Sequence, residues 1–82
     1  MHERSLALQA VSNRLAELRL AQSFPVPGAD AELCPQGPLA FSCEQQVQTT
    51  VNANFRLVTV RARLTPGGPV LAELSGVLSR LP

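Results

Sequence analysis

The chain has 82 residues and a mass of 8.8 kDa, with 45% hydrophobic and 4% aromatic residues, seven prolines, five glycines and two cysteines, the size of one small domain. Seven arginines against six acidic residues leave a net charge of +1, too weak a field to gather phosphates. There is no lysine, tyrosine or tryptophan, and the single histidine, His2, follows the start methionine, so most catalytic toolkits lack their parts.

From Arg4 to Gln22 there is no proline or glycine, and the residues are mostly alanine, leucine, arginine, glutamate and glutamine, which predicts a helix over 1–22. Leu8, Val11, Leu15 and Leu18 recur at spacings of three, four and three and make an apolar stripe, with Arg4, Gln9, Arg14 and Glu17 largely outside it. A helix of that length spans about 28 Å, more than so small a domain requires for its own core, and part of it is expected to project. Leu15 and Leu18 lie nearest the following sheet in sequence and are expected to pack on it. Leu6, Leu8 and Val11 look like contacts for another chain. No capping residue precedes Glu3, although Ser5 can cap a shorter version; the pattern reads as a helix cut off upstream. The chain as given carries no signal-peptide pattern, and uncharged stretches such as Phe24 to Ala29 and Leu33 to Ser42 fall short of the ~20 apolar residues of a membrane span.

Phe24-Pro25-Val26-Pro27-Gly28 ends the helix, and 23–38 reads as an irregular loop rich in turn formers. Cys34 and Cys43 bracket Pro35, Gly37 and Pro38, and a disulfide across this short loop is the preferred reading, with two unrelated buried thiols as the alternative. Such a bond points to an oxidising compartment. From Leu39 the period changes to two. Leu39, Phe41 and Cys43, followed by Gln45, Val47, Thr49 and Val51, suit one strand or two short ones, and 39–82 is expected to form the sheet. Asn52-Ala53-Asn54 is a turn. Phe55 to Thr65 is the clearest strand, with Val58, Val60, Ala62 and Leu64 facing one way and Thr59, Arg61 and Arg63 the other. Thr65-Pro66-Gly67-Gly68-Pro69 signals a hairpin, and Val70 to Leu81 can return as an antiparallel strand in which Gly76 marks a bulge. The expected fold is α+β: one long amphipathic helix packed on a small antiparallel sheet.

Candidate chemistry is sparse. The serines have no internal histidine to activate them and none lies in a Gly-x-Ser-x-Gly turn. Asp30 and Glu32 are too few for a calcium site, and zinc would find only the two cysteines and His2, so no metal, cofactor or small-molecule substrate is expected. Arg56, Arg61 and Arg63 could line one face of the sheet, but without interleaved aromatic residues they do not suggest nucleic acid. What remains is surface for assembly.

The segment Leu6-Ala7-Leu8-Gln9-Ala10-Val11-Ser12-Asn13-Arg14-Leu15-Ala16-Glu17-Leu18-Arg19-Leu20 resembles the end of the long helix in type II secretion minor pseudopilins of the I class, where Asn-x-Leu-Ala-Glu-Leu-Arg-Leu recurs. The Pro27-Gly28 exit, the Arg56 to Leu64 strand and the closing Leu71-Ala72-Glu73-Leu74-Ser75-Gly76-Val77-Leu78 resemble the same family. Its members carry a tryptophan-containing strand where this chain has Phe41, Cys43 and Val47, and here the cysteine pair would replace aromatic packing by a covalent tie.

The resemblance implies a pilin-like periplasmic domain of a Gram-negative protein, anchored in the inner membrane only by an upstream apolar helix that the chain as given lacks. It implies a non-catalytic subunit of the pseudopilus tip that binds J-type and K-type minor pseudopilins to initiate assembly for protein secretion. Carried over by position, Leu8, Val11, Leu15 and Leu18 would be the partner-binding ridge, and Asn13 would take the place of the family's asparagine. A type IV pilus minor pilin is the close alternative. A small disulfide-bonded extracellular binding module, recognising its ligand through 28–43, is the alternative from a different class.

Overall fold

The computed structural model describes residues 2–21 and 24–79. A helix, α1 (His2–Leu20), precedes four strands, β1 (Gly28–Gln36), β2 (Leu39–Thr49), β3 (Phe55–Arg63) and β4 (Val70–Ser79). The strands form a single antiparallel sheet in chain order, β1-β2-β3-β4, and α1 packs across one face of it. The α+β expectation holds. The helix is of ordinary length, 19 residues or about 28 Å, and does not outrun its platform, because strands of nine to eleven residues are themselves about 30–36 Å long.

Alternation decides which side chains meet α1. Phe41, Cys43 and Val47 of β2, Val58, Val60 and Ala62 of β3, and Leu78 of β4 are buried beneath Ala7, Ala10, Val11, Leu15 and Leu18 of the helix. The expected dry and wet faces of β3 are both present; Leu64, placed on the dry face, lies past the strand end and is exposed. On the wet face Arg61 pairs with Glu73, Arg63 with Glu44, and the Thr59 and Ser75 hydroxyls share a hydrogen bond. Arg56 belongs to the opposite face. It stacks 4.2 Å from the centroid of the Phe24 ring, so the three arginines expected to share a strip do not.

The turns follow their residues. Gly37 has φ +59° and is followed by a proline whose φ is locked near −65°, the combination of a type II′ hairpin turn between the paired Gln36 and Leu39. Pro66 and the left-handed Gly67, with Gly68 N–H donating to Thr65 O at 3.0 Å, make a type II turn between β3 and β4. Between β2 and β3, Asn52 Oδ1 accepts the Asn54 N–H at 2.9 Å and Asn52 O accepts the Phe55 N–H.

Three expectations are corrected. The 23–38 loop is in its larger part a strand, since 28–36 forms β1; most of its side chains are exposed, with Cys34 and Gln36 half-buried, and it is held chiefly by its ladder to β2. The alternative recognition loop over 28–43 is consequently the first hairpin. Ser5 lies within the helix, which begins at His2, and does not cap it. Gly76 marks no bulge. The register shift between β3 and β4 lies at Ala62/Arg63, and Gly76 instead lies directly under side chains of the helix: a Cβ there would stand 2.8 Å from Leu15 Cδ2 and 2.7 Å from an Arg19 guanidinium nitrogen. Gln22, Ser23 and Leu81, which close the expected helix, open the expected loop and end the expected last strand, lie outside the described residues.

Cys34 and Cys43 form a disulfide between β1 and β2, with Cα atoms 5.9 Å apart. Cys43 is buried, so the bond ties an exposed edge strand to the core. Reduction should lower the melting temperature, by the loss of about 2–3 kcal/mol expected for a loop of about ten residues, while free-thiol titration of the folded, unreduced protein should find neither cysteine. Gly76→Val should destabilise by about 1–3 kcal/mol in urea unfolding, because Leu15 is packed in the core and cannot retreat.

Candidate functional site

The surface of α1 is the first place to look for a binding ridge. The helix docks through Ala7, Ala10, Val11, Leu15 and Leu18, a set spaced three and four apart in which two members are alanine. Small side chains at positions 7 and 10 let the backbone settle close to the sheet. The register is consequently rotated from the leucine-only stripe. Of the four residues expected to form a partner-binding ridge, Val11 is 0% exposed, Leu15 4% and Leu18 7%, all buried against the chain's own sheet, whereas Leu8 is 51% exposed. Leu6, read with Leu8 as a contact for another chain, is half-buried and packs against the core. Val11, Leu15 and Leu18 are engaged by the chain's own sheet. Leu8 is the apolar residue of that set left to solvent, with Gln9, Ser12 and Ala16 exposed beside it and Leu20 exposed at the far end.

A polar groove of about 270 Å³ separates α1 from β1. Arg14, expected outside the packing face, is half-buried and spans it: its Nε lies 2.9 Å from Glu32 Oε1 and donates to Gln45 Oε1 at 3.2 Å, and its Nη1 lies 3.5 Å from Glu17 Oε2. Asn13 Nδ2 donates to Gln36 Oε1 at 3.1 Å one residue earlier. These contacts stand where β1 offers α1 almost no apolar surface, and they fix the helix over the first two strands through hydrogen bonds and charge. The sequence signal for them was present, since Asn13 and Arg14 precede a buried leucine and Glu32 alternates with Cys34 toward the helix. These residues read as ordinary solvent-facing positions until β1 is known to be a strand. Asp30 Oδ1 accepts the Ala31 N–H at 2.9 Å.

Among the described residues no helix is long and apolar enough to cross a membrane. A helix with an open outer face, a sheet whose second face is exposed, and a polar seam that locks the two together present surfaces for assembly. The family model that matches describes a part of a secretion machine, and it covers residues 1–79. The chain belongs to the family of type II secretion system protein I. No match is found among curated proteins or among solved structures. Membership makes the chain a pseudopilus component of a structural, non-catalytic family whose setting is periplasmic and membrane-associated.

Leu8 and Val11 are three residues apart and should respond oppositely to charge. Leu8→Arg should leave the circular dichroism spectrum and melting temperature nearly unchanged, within about 0.5 kcal/mol, as for an exposed position. Val11→Arg should unfold the domain, since it drives an unpaired guanidinium into the core.

Proposed function

We propose that this chain is a pilin-like minor pseudopilin that binds J-type and K-type subunits at the pseudopilus tip and so initiates assembly of the filament used for protein secretion. The observation that carries this reading is the pairing of the family match with a helix that keeps a large aliphatic side chain, Leu8, half out of its own core. Helix-face packing is then the mechanism. A partner helix laid along Leu8, Ser12 and Ala16 meets a low-relief surface flanked by Gln9 and Arg19, and each apolar Å² removed from water contributes ~25 cal/mol. Val11, Leu15 and Leu18 contribute indirectly, by holding the outer face in register against the sheet.

Subunits anchored in the same membrane meet at high effective concentration, so a modest contact is sufficient for assembly. In this reading the upstream apolar helix supplies the anchor, and the domain described here supplies specificity. The disulfide suits a periplasmic setting, where thiols are oxidised.

The test is co-elution of the 82-residue chain with the periplasmic domain of its J-type partner on a sizing column. Leu8→Arg should abolish the complex, whereas Val51→Arg, in the fully exposed β2–β3 turn, should leave it intact. Co-elution that survives Leu8→Arg moves the contact off the helix and overturns the proposed surface.

A further inference from the structure

The two edges of the sheet differ in a way that the helix-face reading does not use. Gln36 and Leu39 close a two-residue hairpin and exchange hydrogen bonds, which sets the alternation across the sheet. Even-numbered residues of β1 bond to β2, those of β2 bond to β3, and those of β3 bond to the even-numbered residues of β4. Odd-numbered residues of β1 and β4 therefore turn their peptide groups away from the sheet. The Ala31 N–H agrees, since it is accepted by the Asp30 carboxylate and not by β2.

On β1 this outward row is blunted. Asp30 occupies the Ala31 N–H, and Pro35 has no N–H to offer. On β4 the outward row includes Glu73, Ser75 and Val77, without proline or lysine, and no other strand or backbone group among the described residues pairs with it. A row of peptide groups left open in this way is a template on which another strand can pair.

We infer that β4 is a docking edge and that its occupant is β4 of a second copy of this chain, paired antiparallel about a two-fold axis at Leu74. Only registers whose paired residue numbers sum to an even value bring the outward peptide groups face to face. Centring the pair on Glu73 sets two carboxylates directly opposite, which is unfavourable. Centring it on Leu74 sets Glu73 beside Ser75, Leu71 beside Val77, Ala72 beside Gly76 and Val70 beside Leu78 of the second copy. Every residue from Val70 to Leu78 is then matched without a like-charge contact. Both helices fall on the same face of the enlarged sheet. Leu15 lies over Gly76 on this outermost strand, and Leu8, seven residues upstream, is only about 20° from it around the helix. The half-exposed Leu8 thus lies toward the β4 margin, where a second copy extends the floor beneath it.

This inference rests on the chemistry of the edge and stands apart from the family reading. Sedimentation velocity of the 82-residue chain over a concentration series should show a reversible monomer–dimer equilibrium. Ser75→Arg places a guanidinium opposite Glu73 of the other copy twice, by symmetry, and should tighten the dimer roughly fivefold; Ser75→Glu should weaken it roughly fivefold, an effect that salt reduces. Ser75 is exposed, and circular dichroism on both variants confirms that the fold is kept. A chain that stays monomeric at every concentration, or a dimer indifferent to both charges, overturns the inference. Loss of J-type binding by Leu8→Arg with the Ser75 responses unchanged would show that the two surfaces act separately.

Discussion

One helix has to cover one face of a four-stranded sheet, and everything else in this molecule is arranged around how closely it can do so. The contact is built from small groups at its tightest points. Ala7 and Ala10 on the helix are buried against the sheet, Gly76 on β4 leaves room for the Leu15 and Arg19 side chains, and Val11, Leu15, Leu18, Phe41, Val58 and Val60 fill the core. Among the described residues no second helix shares this task, so a shift of α1 by a fraction of a turn would uncover part of the core.

The same economy explains why polar contacts do structural work at one margin. Alanines, acidic residues and a proline make β1 a poor partner for an apolar helix face. The chain compensates with the Cys34–Cys43 bond on one side and the Arg14 and Asn13 contacts on the other. Exposed ion pairs of this kind contribute little singly. Here they act together with a covalent tie, at the strand that has the fewest other contacts to hold it. At the opposite margin β4 makes the most extensive contact of any strand with the helix and retains apolar side chains, so the two edges differ in both chemistry and exposure.

Much of this was legible in the sequence. The strict alternation of Val58, Val60 and Ala62 with Thr59, Arg61 and Arg63 marked β3 because one face is dry and the other wet. Asn52 to Asn54 and Pro66 to Gly68 marked turns because only such residues hold those backbone conformations. β1 escaped notice for the complementary reason: an edge strand largely exposed on both faces leaves no period in its hydrophobicity. The helix register was misread because leucine was weighed above alanine. Leu8 scores as core on hydrophobicity, yet close packing selected Ala7 instead, and the outer surface of α1 became visible only once the sheet beneath it was in place.

The order of the elements along the chain has a temporal consequence. The strands form a meander in which every pairing joins neighbours in sequence, so each hairpin can zip up as soon as its second half exists. The helix is different: it precedes the strands, but its most extensive seat is on β4, the last of the four. A chain delivered from its N-terminus therefore holds the helix incompletely seated until the ten residues of β4 arrive, and throughout that interval Val11, Leu15 and Leu18 stand partly open to whatever chaperone or sibling segment is nearby.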